Sequence, residues 1–245
     1  MRLSFVIPAY NEENYIRPCL ESIQRELKGR NYDTEIIVVN NASTDNTRRV
    51  AEEFADVRVV DEMKKGLVQA RSAGFLASSG DLIANIDADT RLTKGWIDKV
   101  FTEFSSDDRL VALSGPYIYY DLSWLTRAVV DFYYRIGYLI HLFNQHILGK
   151  GAMLQGGNFI VTRTALEKIG GFNMDLDFWG EDTDVAIRIQ KVGKVKFSFK
   201  LPMLTSGRRL KGEGLIIAGV QYIINHFWTI IFKKPFTKDF KDIRN

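Results

Sequence analysis

Two acids separated by one residue are the side chains best placed to do chemistry: Asp87 and Asp89, in Asp81-Leu82-Ile83-Ala84-Asn85-Ile86-Asp87-Ala88-Asp89-Thr90. The apolar run from Leu82 to Ile86 predicts a short buried strand, which delivers both carboxylates at its carboxyl end. In an open α/β sheet that end is where ligands bind. Paired hard oxygens suit Mg²⁺ or Mn²⁺, which bind through one or two carboxylates and the phosphates of a substrate. A polar turn leading to a helix near Thr93 is the plainer account, so the rest of the chain has to decide.

A second acidic cluster, Trp179-Gly180-Glu181-Asp182-Thr183-Asp184, opens a predicted helix through Ile187 and Gln190. Acids at a helix N-terminus are stabilised by its dipole, which is enough to account for Asp184. Gln155-Gly156-Gly157-Asn158 puts glycines ahead of a strand, where backbone can turn or approach a ligand closely. Arg208 and Arg209 follow the last predicted strand on a loop, as an anion clamp or as solvated charge. The three histidines form no motif, and the single Cys19 excludes an internal disulfide or a cysteine metal cluster.

The elements that must position these residues alternate. Leu3 to Ile7, Glu35 to Val39, Val57 to Val60 and Leu82 to Ile86 are apolar runs of strand length, separated by stretches of helical pattern. The first helix is expected to start with Asn11 as N-cap, with Glu12 and Glu13 in its first turn. Such alternation predicts a parallel sheet with helices on both faces. Its carboxyl-end loops would bring Tyr10, Asn41, Asp45, Asp87 and Asp89 to one rim.

Four stretches, taken together, resemble the family 2 glycosyltransferases: Ile7-Pro8-Ala9-Tyr10-Asn11-Glu12, Val38-Val39-Asn40-Asn41-Ala42-Ser43-Thr44-Asp45, Asp87-Ala88-Asp89, and Trp179-Gly180-Glu181-Asp182. The resemblance covers roughly residues 1 to 200. It implies a doubly wound, mixed and mainly parallel sheet of the glycosyltransferase A type, a nucleoside-diphosphate sugar as donor, Mg²⁺ or Mn²⁺, and inversion at the anomeric carbon.

Carried over residue by residue, the resemblance places Pro8, Ala9, Tyr10, Glu12, Asn41, Asp45, Arg71, Asp87 and Ala88 at the nucleotide sugar. Tyr10 packs on the base, and the Arg71 guanidinium suits phosphate or ribose oxygens. Asp89 is the principal metal ligand with Asp87 beside it, and Asp182 is the general base. Gly157, Asn158, Trp179, Glu181, Arg208 and Arg209 contact the acceptor or the diphosphate. Where the family commonly has Asp-Asp this chain has Asn40-Asn41. Asn can donate as well as accept, so the base is left open among uracil, guanine and thymine.

From Arg188 onward thirteen basic residues face three acids, a charge of +10 against −7 for the rest of the chain. Beside apolar segments this suggests anionic lipid head groups; no nucleic-acid motif accompanies the charge. Residues 117–150 are expected to form a helical, aromatic-rich insert outside the sheet, with Arg127, Asp131 and Arg135 as one charged stripe. The second domain, residues 201–245, carries an amphipathic helix over about 213–232. Its polar stripe of Gln221, Asn225 and Thr229 argues against a span and for a helix lying in the membrane interface, with Trp228 at the boundary and Lys233-Lys234 on head groups. Met1-Arg2 leads straight into a strand, so the protein is expected in the cytoplasm, on the membrane's cytoplasmic face.

The acceptor is then a growing glycan or a lipid-linked saccharide, or, for a polyprenyl-phosphate glycosyl synthase, a lipid phosphate. A homo-oligomer is left open. A sugar-nucleotide pyrophosphorylase would need a glycine-rich basic loop after the first strand, and Pro8-Ala9-Tyr10-Asn11 is not one. A non-catalytic binding module would not need both acidic clusters.

Overall fold

The computed structural model describes residues 1–148, 153–176, 179–232 and 236–237. Its main sheet holds seven strands in the order β3-β2-β1-β4-β8-β6-β9. These are β1 (Leu3–Ala9), β2 (Thr34–Asn40), β3 (Val57–Asp61), β4 (Leu82–Ile86), β6 (Leu110–Ser114), β8 (Asn158–Thr162) and β9 (Lys194–Phe197). Only β8 runs antiparallel, against both β4 and β6. A small sheet of β5 (Thr90–Leu92), β10 (Met203–Thr205) and β7 (Tyr117–Tyr119), in the order β5-β10-β7, stands beside it.

β1 and β4 are buried along their whole lengths, because both sheet faces are covered. On one face Phe5, Ile7, Ala84 and Ile86 pack with Ile16, Leu20 and Ile23 of α1 (Ile16–Leu27) and Trp96 of α4 (Trp96–Ser106). On the other, Val6, Ile37, Val39 and Ile83 meet Val68, Ala70 and Phe75 of α3 (Leu67–Ala77), and Val185 and Ile189 of α7 (Glu181–Ile189). Burying each such side chain contributes about 1.5–3 kcal/mol. The short α2 (Thr47–Glu52) and α6 (Arg163–Lys168) follow β2 and β8.

Three expectations are corrected. Asn11 does not cap α1: it takes a positive φ of 51°, its Oδ1 accepts from Thr44 N at 2.8 Å, and the helix starts at Ile16. The insert is not wholly outside the sheets, since Tyr117 to Tyr119 pair with β10 before α5 (Trp124–Leu148) begins. Arg208 and Arg209 are not on a loop but start α8 (Arg208–Glu213).

The final helix, α9 (Leu215–Phe232), turns its polar stripe toward protein. Asn225 and Thr229 are buried, whereas Ile217, Val220, Ile224 and Phe232 are exposed. Thr229 lies against Gly180, where an added Cβ would come within 2.5 Å of its Oγ1. Among the described residues no helix is long and apolar enough to cross a membrane. Lys233, Lys234, Lys238, Lys241 and Arg244 lie outside the described residues.

Candidate active site

The carboxyl-end loops of β1 and β2 are stitched together by side chains. Ser43 Oγ accepts from Asn11 N (3.2 Å), Thr47 Oγ1 from Glu12 N (2.7 Å), and Asp45 Oδ2 from Glu13 N (3.1 Å). Asp45 Oδ1 also accepts from Thr47 N at 2.9 Å, so its carboxylate organises the start of α2. Asn41 is buried with its amide engaged: Nδ2 donates to Glu62 O (2.9 Å) and Lys64 O (2.8 Å), and Oδ1 accepts from Gly66 N (2.8 Å). It thereby shapes the β3–α3 loop. That loop brings Lys65 over the Tyr10 ring, its ammonium 3.7 Å from the ring centroid. The sequence reading missed Lys65, which has no motif around it. Pro8 and Ala9 close β1 beneath this loop, and the Ala9 carbonyl accepts from Asn41 N at 2.8 Å.

Asp87 and Asp89 both reach the rim, and each has its own guanidinium. Arg71, only 1% exposed, donates from Nη2 to Asp87 Oδ1 at 3.1 Å and to the Gly156 carbonyl at 2.6 Å, while Nη1 pairs with Glu181. Arg71 is thus almost wholly buried and ties Asp87, Glu181 and the Gly156 carbonyl together. Tyr117, also missed, donates from its hydroxyl to Asp87 Oδ2 (3.2 Å) and accepts from Gly157 N (2.7 Å). Burial, then the Asp87 and Asp89 carboxylates, push the Tyr117 hydroxyl well above its ordinary pKa, keeping it a donor. Gly157 is needed for this approach, because an added Cβ would sit 2.1 Å from Asp87 Cγ and 2.4 Å from Tyr117 Oη. Ala88, between the acids, is buried in the core.

Asp89 pairs instead with Arg208, whose Nε lies 3.0 Å from Oδ2, and the same guanidinium reaches Glu12. Glu181 and Asp182 come to the same rim as Asp87. A Cβ on Gly156 would lie 3.6 Å from both Asp182 Oδ2 and Glu181 Oε1, and 3.8 Å from Arg71 Nη2. Asp182 is half-buried in the first turn of α7, with Oδ1 accepting from Thr183 N at 2.7 Å. Burial, opposed by Arg71 and reinforced by Asp182, pushes Glu181 up to about 8.

Three further candidate residues are engaged with protein. Asn158 is completely buried: it accepts from Trp96 Nε1 (3.1 Å) and donates to Gly115 O (3.0 Å) and Leu201 O (2.9 Å), so no sugar can reach it. Trp179 is buried beneath Arg209, whose guanidinium carbon is 5.7 Å from the ring centroid, and Arg209 pairs with Glu213 at 2.9 Å. Both serve packing. The charged stripe of α5 faces a cavity of about 440 Å³, lined also by Tyr117, Tyr119 and Phe199.

The oxygens of Asp87 and Asp89 are hard, share one rim and already attract cationic groups, so they fit a divalent ion. Among the described residues no third His, Cys, Asp or Glu joins them. Phosphate and water would complete the coordination.

Residues 4–170 match the profile described as Glycosyl transferase family 2. The chain belongs to that family. Residues 141–206 also match a profile described as the N-terminal domain of galactosyltransferase. A probable glycosyltransferase, YdaM of Bacillus subtilis (strain 168), is 30% identical over 208 residues, 78% of this chain and 47% of that protein. A dolichol-phosphate mannosyltransferase of Pyrococcus furiosus is 39% identical over 93 residues, 36% of this chain and 26% of that protein. The chain spans less than half the length of these curated relatives.

Among solved structures, the mannosyltransferase PcManGT from Pyrobaculum calidifontis, in complex with GDP-Man and Mn²⁺, superposes with a TM-score of 0.70 at 20% identity, covering 98% of this chain and 65% of that one. Glucosyl-3-phosphoglycerate synthase from Mycobacterium tuberculosis, in complex with Mn²⁺, UDP-Glc and phosphoglyceric acid, gives 0.59 at 19% identity, covering 92% and 78%. These likenesses establish the glycosyltransferase A type of fold.

Proposed function

We propose that this protein is a glycosyltransferase that moves a sugar, with inversion, from a nucleoside-diphosphate sugar to a hydroxyl of a lipid-linked saccharide or growing glycan. The observation that carries the reading is the shared rim: Asp182 stands by Gly156, which Arg71 ties to Asp87. The Asp182 carboxylate takes the proton of the acceptor hydroxyl as its oxygen bonds to the anomeric carbon. The bond from that carbon to the diphosphate oxygen breaks on the opposite side, and the nucleoside diphosphate leaves with the electron pair. Proton removal of this kind is typically worth roughly 10²–10⁴ in rate. A divalent cation held by Asp89 and Asp87 would act as a Lewis acid toward the diphosphate. Tyr10 and Lys65 border the place for the base. Solved neighbours bound to GDP-Man, UDP-GlcNAc and UDP-Glc support a nucleotide-sugar donor and leave the base open.

The test is release of nucleoside diphosphate from a panel of UDP-, GDP-, dTDP- and CDP-sugars with Mg²⁺, Mn²⁺ or chelator, followed by NMR of the product's anomeric configuration. Release that chelator leaves unchanged, or a retained configuration, sinks the reading. Asp182→Asn is expected to lower kcat by roughly 10²–10⁴. The dolichol-phosphate mannosyltransferase relative favours one alternative, transfer to a lipid phosphate. A phosphate needs no base, so near-full activity of Asp182→Asn would select it.

The exposed Leu125, Phe132, Ile136 and Leu139 share one side of α5 and, with the outward apolar residues of α9, support peripheral seating on the membrane's cytoplasmic face. Sedimentation with vesicles containing anionic lipid, lost in Phe132→Ser/Leu139→Ser, tests that seating.

A further inference from the structure

The guanidinium of Arg208 lies between two carboxylates from distant parts of the chain. Its Nε is 3.0 Å from Asp89 Oδ2 and its Nη2 is 2.5 Å from Glu12 Oε1. Its carbon stands 4.5 Å from the centroid of the Tyr15 ring. Asp89, Glu12 and Arg208 are 14%, 4% and 18% exposed, so little water separates the charges. Both acids share this one guanidinium.

We infer that Arg208 is the resident counter-cation of Asp89, filling the slot between Asp89 and Glu12 until a divalent metal arriving with the donor's diphosphate displaces it. The inference rests on the metal-dependent reading above. A guanidinium keeps its proton at any working pH, so it cannot yield by neutralising and has to move. A divalent ion on the same carboxylate would repel it, and so dry a site screens that repulsion weakly. The diphosphate supplies what the metal alone lacks, a bidentate anionic partner for the released fork.

The side chain would swing while the backbone stays. β10, just before Arg208, is paired on both edges, with Thr205 opposite Thr90 and Tyr119. The Gly207 N–H donates to Asp121 Oδ1 at 2.6 Å, pinning the intervening turn. Arg208 is thus a positioning residue that couples metal entry to donor entry.

Titration of the full chain with Mn²⁺, read by electron paramagnetic resonance with and without UDP or GDP, tests this. Arg208→Gln is expected to bind Mn²⁺ alone about 10-fold tighter than wild type and to gain less from the nucleoside diphosphate. Arg208→Lys, which keeps the charge, is expected to stay within about 3-fold of wild type. If Asp89→Asn abolishes Mn²⁺ binding but Arg208→Gln leaves it unchanged, the inference is overturned and the metal site stands. If wild type binds no Mn²⁺ even with both nucleotides, the metal reading falls and the inference with it. Should Arg208→Gln not fold, ¹⁵N-arginine NMR of wild type reads the same event. The Arg208 Nε signal is expected to move when Mg²⁺ and UDP or GDP are added together, and an unmoved signal overturns the inference.

Discussion

The two acids of Asp87-Ala88-Asp89 are one residue apart yet belong to different mechanical settings. Asp87 is held from below by Arg71, a core residue of α3, and from the side by Tyr117. Asp89 is held from the chain's C-terminal part by Arg208, on a six-residue helix beyond the small sheet. Asp87 itself is 36% exposed while its partner Arg71 is 1% exposed; Asp89 and Arg208 are both partly covered, at 14% and 18%. One carboxylate has a partner sealed in the core. The other has a partner whose place a soluble cation could take.

Breaking the fixed side should cost most. Arg71→Met removes the donor that Glu181, Asp87 and the Gly156 carbonyl share, and leaving a buried acceptor unsatisfied typically costs about 1–3 kcal/mol for each. Urea denaturation should show that loss, and Mn²⁺ with a nucleoside diphosphate should not restore it. A second test of the same side uses pH. Glu181, pushed up to about 8 from 4.5, keeps a proton in the folded protein that the unfolded chain releases. Metal-free stability should therefore fall as pH rises from about 4.5 to 8, by an amount on the order of a few kcal/mol. Glu181→Gln should flatten that slope, and a slope that persists in the variant would move its origin elsewhere.

Gly157→Ala drives a methyl group into the Asp87–Tyr117 contact. It should cost about 1–3 kcal/mol by overpacking, read as a lower Tm, with reduced sugar transfer. The replaceable side should show the smallest loss. Arg208→Gln is expected to cost about 1–2 kcal/mol, with Mn²⁺ plus nucleoside diphosphate recovering it by binding the folded state. Equal and equally unrecoverable losses for Arg71→Met and Arg208→Gln would erase the distinction between the two acids.

The fixed setting was only half legible in the sequence. The strands β1 to β4 announce themselves as apolar runs bounded by polar turns, and they bring Tyr10, Asp87 and Asp89 to the same edge. The acids of α7 stand out as a cluster at a helix start. Arg71 is visible as an arginine on a helix, but its burial is not. That burial depends on Glu181, 110 positions away, and on Phe159, whose ring lies 5.3 Å from the guanidinium carbon. Asn158 looks like a loop amide after two glycines. It is instead a buried polar tie from β8 to Trp96 and to the Gly115 and Leu201 carbonyls, because β8 enters antiparallel and carries it into the core.

The small sheet left no signal, since strands of three residues are too short to display an alternation. Without it, Tyr117 could not be placed beside Asp87, nor Arg208 beside Asp89. Asn11 misled for a local reason: its side chain bridges to Thr44 in the neighbouring loop, and four residues of turn intervene before α1 begins.

The small sheet also bears on where this protein can be cut. A fragment ending at residue 200, the boundary that motif spacing invites, would strip Met203 to Thr205 from between β5 and β7 and leave two three-residue strands with no neighbour. A shortened version meant to keep the small sheet has to run through at least Thr205, which makes β10 a central strand rather than part of a detachable tail.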